Sequence, residues 1–198
     1  MRKGIGAFCI VLGVLCLLGA IGLVLYNRWE ASQAEQVSQS LLQEVKQAMA
    51  VPEGTGEAAW EKGPGVTPEM ATIAINGFDC IGVLSIPVLE VELPVLADWS
   101  YEKLKSAPCH YYGSCYGQDF VIAAHNYRSH FGRLSQLQEG DLVLFIDAAG
   151  NSHYYEVVLT ETLPPEATEE MIVSGFDLSL YTCTPGGGSR VTVRCNRK

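Results

Sequence analysis

A long uncharged run near the start of the chain, residues 4–26, most constrains what the sequence can form. It is dense in Leu, Ile, Val, Gly and Ala, and as an α-helix it would extend roughly 35 Å, enough to cross a bilayer core of about 30 Å. Arg2 and Lys3 precede it, so the positive-inside bias keeps the N-terminus in the cytoplasm. The run therefore predicts a single-pass anchor in the cell membrane, with the rest of the chain extracellular.

A cleaved signal peptide is the alternative interpretation of this run. Ser32, Gln33 and Ala34 have the small-x-small form of a cleavage site, which would release the chain after Ala34. The apolar core of a signal peptide usually has about 7–15 residues, fewer than this run, which favours the uncleaved anchor. Both interpretations place the following domain outside the membrane.

The composition and apolar spacing of the chain change twice after the anchor, which predicts three segments. Residues 1–28 form the cytoplasmic tip and the anchor. Residues 29–72 form a stalk, because apolar residues recur every three to four positions over residues 30–50, as in a helix, and residues 52–68 are rich in Gly, Pro and Glu, as in a flexible linker. Residues 73–198 form an extracellular domain.

The extracellular segment consists of short apolar runs separated by turns. Many short strands with few helices are typical of a closed or nearly closed β-barrel, and the connections are too short for repeated βαβ units. The predicted strands are residues 81–87, 91–95, 120–124, 142–146, 154–160, 178–182 and 190–193, and the predicted short helices are residues 100–106 and 131–137.

The charge balance excludes one class of partner. The formal net charge is -9, with 22 acidic and 13 basic residues, and the sequence has neither a basic stripe nor a nucleic-acid motif. We therefore expect no nucleic-acid partner.

The seven cysteines divide between the anchor and the extracellular segment. An odd number lies outside the anchor, so at least one thiol stays free if the others pair. Cys109 and Cys115 are close enough in sequence for a disulfide, and two reduced buried cysteines are the alternative. The chain has no CxxC or His/Cys spacing of the zinc-binding kind, so no metal ligand is predicted. The extracellular cysteines are Cys80, Cys109, Cys115, Cys183 and Cys195.

Two predicted strand ends carry residue types that suit nucleophilic catalysis. Cys183 follows the run 178–182, and Pro185 ends the strand, which would hold the thiol rigidly beside a loop. A thiol needs a basic or cationic neighbour to react, and among the four histidines His125 is best placed because it directly follows the run 120–124. Cys183 is the candidate nucleophile and His125 its proton-transfer partner; a buried structural cysteine is the alternative.

An arginine is the third candidate. The turn 185–189 contains three glycines and returns the chain toward Cys183, so the strand that opens with Arg190 is expected to lie beside it. A fixed guanidinium there can stabilise a developing oxyanion. Arg194 shares the same strand face by the period of two and is the rival for this role.

These elements, in this order, resemble the sortase family. Leu180, Thr182 and Cys183 followed by Arg190 resemble the family's Leu-x-Thr-Cys strand end and the arginine that opens its last strand. His125 after an apolar strand resembles the family's Gly-His segment. The resemblance covers residues 78–194 and implies a closed eight-stranded sortase-like β-barrel with short helices, preceded by an N-terminal transmembrane helix; residues 163–175 correspond to the segment that helps form the substrate groove.

The resemblance implies a membrane-anchored cysteine transpeptidase that acts on surface proteins. Cys183 would attack a carbonyl of an LPxTG-like sorting signal and form a thioester, with Arg190 stabilising the oxyanion and His125 protonating the leaving amine. An amine of a peptidoglycan precursor or cross-bridge would then take the acyl group. The neighbouring residues expected to bind or orient the substrate are Ala124, Asn126, Thr182 and Thr184. Ala124 stands where the family usually has Gly.

No cofactor is required by this scheme. Some sortases use calcium to order a groove loop. The carboxylates that could bind calcium here are Asp119, Glu166, Glu169 and Glu170. A Glu-rich loop is usually only solvated, so we expect no calcium. The N-terminal anchor, without an apolar segment near the C-terminus, is atypical of the pilin-polymerising sortases, and no class is assigned.

Two other functions are weighed. A papain-like or cell-wall peptidase usually places its cysteine before its histidine and begins a helix at the cysteine, whereas here His125 precedes Cys183 and Pro185 follows it. A catalytically weak or inactive β-barrel, anchored in the membrane as a scaffold for surface-protein assembly, would follow if the short glycine loop misplaced Arg190.

Overall fold

The apolar run and the segment after it form one continuous helix. The computed structural model describes residues 2–50 and 69–198, and α1 (Arg2–Ala50) fills the first of these ranges. No proline interrupts it. Its part from Ile10 onward contains an 18-residue window of mean hydropathy 2.4 with no buried residue, which makes it a candidate membrane span. The predicted helix over residues 30–50 is confirmed, and the linker predicted over residues 52–68 lies outside the described residues.

The second half of α1 packs against the domain. A stripe of residues spaced three or four apart is buried, and its C-terminal part packs against side chains from the outer face of the barrel, including Val83, Leu96 and Cys109. Burying an aliphatic side chain of this kind contributes about 1.5–3 kcal/mol, so several together hold the helix in place. The stripe consists of Ala34, Ser38, Leu41, Leu42 and Val45.

Nine strands follow, and eight of them close into a barrel. The sheet order is β1-β2-β3-β4-β5-β8-β9-β7-β6, and β2 also pairs with β6, which joins the two ends. The predicted closed eight-stranded barrel is thereby confirmed, with β1 as an added edge strand. The strands are β1 (Ile73–Ile75), β2 (Phe78–Ile86), β3 (Val91–Leu96), β4 (Cys109–Tyr112), β5 (Phe120–Ala123), β6 (Leu142–Asp147), β7 (Ser152–Leu163), β8 (Leu178–Cys183) and β9 (Arg190–Arg197).

A close approach between β2 and β6 completes the barrel. Gly82 has a φ of +152°, and a Cβ at this position would lie 2.1 Å from the carbonyl oxygen of Ile146. Only glycine allows the two backbones to come this near. The interior is then filled by alternating apolar side chains such as Phe120, Phe145 and Leu180, each fully buried.

Short helical segments lie in the connections. α2 (Tyr101–Leu104) begins after Ser100, whose hydroxyl accepts a 3.1 Å hydrogen bond from the backbone N–H of Lys103. It lies within the predicted helix 100–106. A 3-10 turn, Leu134–Gln136, occupies part of the predicted helix 131–137. α3 (Thr168–Ile172) lies in the connection between β7 and β8.

Candidate active site

The register of β5 and β8 brings His125 and Cys183 to the same end of the barrel. The strands are parallel, with Ala123 opposite Tyr181. The pairing continues past β5, because the N–H of Ala124 donates to the carbonyl of Tyr181 at 3.1 Å and the Thr182 hydroxyl donates to the carbonyl of Ala124 at 2.8 Å. His125, two residues after the end of β5, therefore lies beside Cys183, the residue that ends β8.

Arg190 lies directly opposite Cys183 in the β8–β9 hairpin. The two residues are the last Cα partners of an antiparallel ladder, so their side chains project from the same face of the sheet. The hairpin loop is closed by the N–H of Thr184, which donates to the carbonyl of Ser189 at 2.9 Å. The Arg190 guanidinium donates to the carbonyls of Gly187 at 3.1 Å and Ser189 at 3.2 Å, which limits its rotation.

Arg194, the other candidate for oxyanion stabilisation, is buried inside the domain. It is 2 % exposed, and its guanidinium donates to a Glu161 carboxylate oxygen at 2.8 Å, to the Ser179 hydroxyl at 2.8 Å and to the Glu170 carbonyl at 2.7 Å. These contacts join β7, β8 and α3. The register places Arg194 opposite Ser179, four positions along β8 from Cys183, so it has a structural role.

Cys183 is the accessible thiol of the described domain. It is half-buried, whereas the other four cysteines that follow α1 are buried. Burial raises the pKa of Cys80 to about 11 and the pKa values of Cys109, Cys115 and Cys195 to about 12, so these thiols stay protonated and inert. Cys109 and Cys115 are separate free thiols, as in the reduced alternative.

The other three histidines are less suited to proton transfer with Cys183. The ring nitrogens of His110 contact the carbonyls of Ala97 at 3.3 Å and Gly113 at 2.9 Å, and His153 Nε2 lies 2.9 Å from Asp147. His130 is fully buried, and burial lowers its pKa to about 4. His125 is half-buried at the end of the barrel where Cys183 lies.

The environment of His125 includes groups that the sequence did not indicate. The Tyr127 ring lies 4.8 Å from the His125 ring, centroid to centroid. Burial lowers the pKa of His125; the negative charge of Glu30 on α1 opposes this shift and the positive charge of Lys105 reinforces it. The imidazole is therefore mostly neutral at neutral pH. Tyr127 follows the histidine by only two residues, but the approach of Glu30 depends on how α1 docks.

Two depressions flank the Cys183–Arg190 pair. A cavity of about 220 Å³ is lined by Asn126, Cys183 and the two flanking threonines of the sequence prediction, Thr182 and Thr184. Thr182 is buried, whereas Asn126 is exposed. Ala124 is buried and contributes backbone contacts.

The second depression, of about 150 Å³, lies on the side of Arg190 and is rich in aromatic side chains. The Tyr111 ring contacts the Trp99 ring at 5.7 Å and the Tyr181 ring at 5.4 Å, both edge to face. Residues of the segment 163–175, among them Pro164 and Met171, line its other wall. The sequence did not indicate this aromatic wall, since its members come from three separate elements.

The four carboxylates considered for calcium are not gathered into one cluster. Asp119 accepts hydrogen bonds from the hydroxyl and N–H of Ser174 and the N–H of Gly175, at 2.7 to 2.9 Å. Within residues 2–50 and 69–198, the set of three ligand-type side chains within 4.8 Å of one another is instead Cys115, Asp147 and His153. The glutamates at 166, 169 and 170 do not join Asp119 in such a set.

The cluster of Cys115, Asp147 and His153 lies away from Cys183 and acts as a turn-closing network. The Asp147 carboxylate accepts hydrogen bonds from the Ala149 and Asn151 N–H groups, the Asn151 side chain and the Tyr116 hydroxyl, and it contacts His153. These donors occupy both of its oxygens. They lower the pKa of Asp147 against the effect of burial. The cluster ties the β6–β7 turn to the connection between β4 and β5.

Comparison with known proteins gives a consistent result. Residues 84–198 match the family model described as Sortase domain. Sortase A from Corynebacterium diphtheriae is similar with 24% identity over 61% of each chain and a TM-score of 0.55. Sortase C1 from Streptococcus suis has 31% identity over 60% of this chain and 73% of its own, with a TM-score of 0.53. The chain thus spans less than two thirds of the Corynebacterium protein.

A Clostridium perfringens sortase D5 transpeptidase has the widest overlap of these three structures. It shares 19% identity over 82% of this chain and 99% of its own, with a TM-score of 0.62, which is a likeness of fold alone. No curated protein sequence matches the chain. The similar structures include sortases of classes A, C and D.

Proposed function

The chain belongs to the sortase family, and we propose on this basis that it is a cysteine transpeptidase with Cys183 as its nucleophile. The observation that carries the proposal is the pairing of Cys183 with Arg190 across the β8–β9 ladder, beside the strand end that presents His125. A half-exposed thiol, an imidazole and a guanidinium on rigid elements are the groups that thiol-mediated acyl transfer needs.

The proposed reaction has two halves. The Cys183 thiolate attacks a backbone carbonyl of the substrate, and the C–N bond breaks as the His125 imidazolium gives its proton to the leaving amine. The thioester that remains is then attacked by an acceptor amine, whose proton passes to His125. Arg190 stabilises the oxyanion in both halves, which its hydrogen bonds to the hairpin carbonyls support by limiting its movement.

The substrate class proposed is a protein with an LPxTG-like C-terminal sorting signal. One similar structure, a sortase C from Clostridium perfringens, was solved with the C-terminal cell wall sorting motif. In this chain the aromatic depression beside Arg190 supports binding of an extended peptide with apolar side chains, since Trp99 and Tyr181 line it. The acceptor proposed is an amine of a peptidoglycan precursor or cross-bridge.

The proposed location is the outer face of the cell membrane. The exposed apolar part of α1 supports a single membrane span, and Arg2 and Lys3 before it support a cytoplasmic N-terminus. The buried stripe of α1 attaches the barrel to the same helix. An anchored domain of this kind would meet its substrates at the membrane surface.

The proposal is tested by transpeptidation with the full chain in detergent micelles, because α1 is part of the packed domain. A panel of LPxTG-like peptides is offered with glycine and diaminopimelate-type amines, and wild type is compared with Cys183→Ala and with Cys109→Ala, which removes a fully buried thiol. We expect the new amide and a thioester mass with wild type and Cys109→Ala, and neither with Cys183→Ala.

The absence of both products from wild type would overturn the transpeptidase proposal. The membrane-anchored scaffold would then be the better interpretation, with Arg190 held by the hairpin carbonyls instead of serving the substrate. Persistence of the products in Cys183→Ala would instead reject the proposed nucleophile.

A further inference from the structure

Helix α1 joins the candidate membrane span to the barrel without a break, so its length measures how far each part of the barrel lies from the bilayer. The uncharged run ends at Tyr26, and the helix continues to Ala50 with its C-terminal part packed on the barrel. An α-helix rises about 1.5 Å per residue, and the usual tilt of a membrane helix, about 20°, changes this height little. Each contact between α1 and the barrel therefore gives a height above the hydrocarbon core.

A contact near the C-terminal end of α1 places one end of the barrel far from the bilayer. Asn76, in the turn between β1 and β2, donates to the two carboxylate oxygens of Glu44 at 2.8 and 2.9 Å. Glu44 lies about 27 Å beyond Tyr26 along the helix. β2 thus begins at the end of the barrel that points away from the membrane.

The other end of β2 lies closer to the bilayer. The connection from β2 to β3 contributes Glu90 to a cavity of about 230 Å³ that is also lined by Glu35 and Gln39 of α1 and by Arg128 of the segment after β5. Glu35 lies about 14 Å beyond Tyr26 along the helix. Since lipid headgroups extend about 5–8 Å outside the hydrocarbon core, this level of the barrel lies within roughly 10 Å of the headgroup surface.

The sheet topology places Cys183 at this same end. The pairings around the barrel make β5 and β8 run in the direction of β2, so the C-terminal ends of the three strands lie together. The cavity beside Cys183 is lined by Asn126 and Gly132. The N–H of Gly132 donates to the carbonyl of Tyr127 at 2.9 Å, which makes this segment a compact turn. Arg128 of the same turn lines the cavity that faces α1.

We infer that the unbroken α1 helix holds the barrel with its Cys183 end toward the bilayer, so that a lipid surface lies beside this end. The inference rests on the proposed function, since it adds the direction from which the sorting peptide and the acceptor amine reach the thiol. Both would enter the space between the barrel and the headgroups, and the opposite end of the barrel would face away from the membrane.

The orientation depends on the helix between the span and the buried stripe. Neither glycine nor proline occurs between Tyr26 and Ala34. A proline at the exposed Ser32 would remove one backbone hydrogen bond and kink or break the helix, which frees the barrel to turn relative to the span. Ser32→Ala is the matched control, because alanine keeps the helix intact.

The test measures how near each end of the barrel comes to the lipid headgroups. A fluorophore is attached to one introduced cysteine in the full chain, which is reconstituted in phosphatidylcholine vesicles containing lipids with a nitroxide on the headgroup. Arg128→Cys and Val88→Cys, both exposed, mark the Cys183 end. Ala149→Cys, exposed in the β6–β7 turn, marks the other end, because Asp147 pairs with Gly82 near the start of β2.

The remaining accessible thiols are removed so that the label reaches only the introduced cysteine. Every variant therefore carries Cys9→Ala, Cys16→Ala and Cys183→Ala, and its urea unfolding midpoint is compared with that of the unlabelled chain. Nitroxides quench only over a short distance, so we expect quenching at positions 128 and 88 to exceed that at position 149 severalfold. Ser32→Pro should bring this ratio close to one, and Ser32→Ala should leave it unchanged.

Equal quenching at the two ends, or stronger quenching at position 149, would overturn the inference. A ratio that Ser32→Pro leaves unchanged would overturn it as well, because the helix would then not be what holds the barrel. Two positions mark the Cys183 end, so the result does not depend on one variant folding. The measurement needs no turnover, so it decides the orientation even if wild type proves inactive and the transpeptidase proposal fails.

Discussion

Cys183 and Arg190 close the β8–β9 ladder as a directly opposed pair, with the thiol and the guanidinium on one face of the sheet. Their separation along the chain is short, and the hairpin between them is fastened by the Thr184–Ser189 hydrogen bonds. The relative position of nucleophile and cation is therefore set by backbone pairing, which is more rigid than a pair of side chains brought together by loops.

The two arginines of β9 should respond differently to substitution. Arg190→Ala is expected to lower kcat/KM about 10²–10³-fold, the usual effect of losing an oxyanion stabiliser, with little change in the free energy of unfolding. Arg194→Ala is expected to lower the free energy of unfolding by about 3 kcal/mol, because it leaves Glu161 and Ser179 without their buried partner. Kinetics and urea unfolding of both variants provide the measurement.

The reverse pattern would contradict this assignment. A large loss of stability in Arg190→Ala would make Arg190 a structural residue, and an inactive but stable Arg194→Ala would move the oxyanion role four positions along β9.

Thiol reactivity should distinguish Cys183 from the buried cysteines. In native protein at pH 8, iodoacetamide is expected to modify Cys183 first, while Cys80, Cys109, Cys115 and Cys195 react only on unfolding, since burial raises their pKa values and excludes the reagent. Peptide mass mapping after graded exposure measures the order. Rapid native labelling of Cys115 would show that its cluster with Asp147 and His153 opens to solvent.

The β-barrel could be predicted from sequence because its strands are short apolar runs bounded by turns, such as 120–124 and 178–182. β4 was missed, since Cys109–Tyr112 mixes buried and exposed polar aromatic residues and gives no clear alternation. β1 has three residues and lies at the sheet edge. Such elements are formed by their neighbours in the sheet more than by their own pattern.

The candidate site was predicted in part for the same reason. Cys183 ends a strand and His125 comes two residues after one, which is a local signal. The period of two could not separate Arg190 from Arg194, because only the β8–β9 register tells which arginine lies opposite Cys183. The effect of the Glu30 charge on His125 could not be predicted, since it depends on long-range docking of α1 on the barrel.

The pH profile of catalysis should have its acidic limb below pH 6.5. The reactive form pairs a thiolate with an imidazolium, and the rate falls once the pH drops below the pKa of His125, where the thiol is protonated as well. Burial lowers this pKa from its ordinary value of 6.5. The measurement is kcat/KM for a cleaved sorting peptide between pH 4 and 9, and an acidic midpoint above 6.5 would contradict the buried environment of His125.

His130 should make the domain less stable in mild acid. It is fully buried, its ring nitrogens have no hydrogen-bond partner among the described residues, and burial lowers its pKa from 6.5 to about 4. Between these two values the unfolded chain binds a proton that the folded chain does not, so stability is present above pH 6.5 and is lost as the pH falls toward 4. The loss should amount to about 3 kcal/mol, from roughly 1.4 kcal/mol for each unit of pKa difference.

Urea unfolding of the full chain at pH 7.5 and pH 4.5 measures this loss, with His130→Phe and His110→Gln as the informative pair. Phenylalanine keeps an aromatic ring beside Tyr127 but cannot take up a proton, so His130→Phe should lose most of the dependence on pH, with a smaller remainder from His125. His110→Gln should keep the dependence that comes from His130, because it leaves His130 and its buried surroundings unchanged. If His130→Phe were as acid-sensitive as wild type, the loss of stability would have to come from another group, and the buried neutral state of His130 would be wrong.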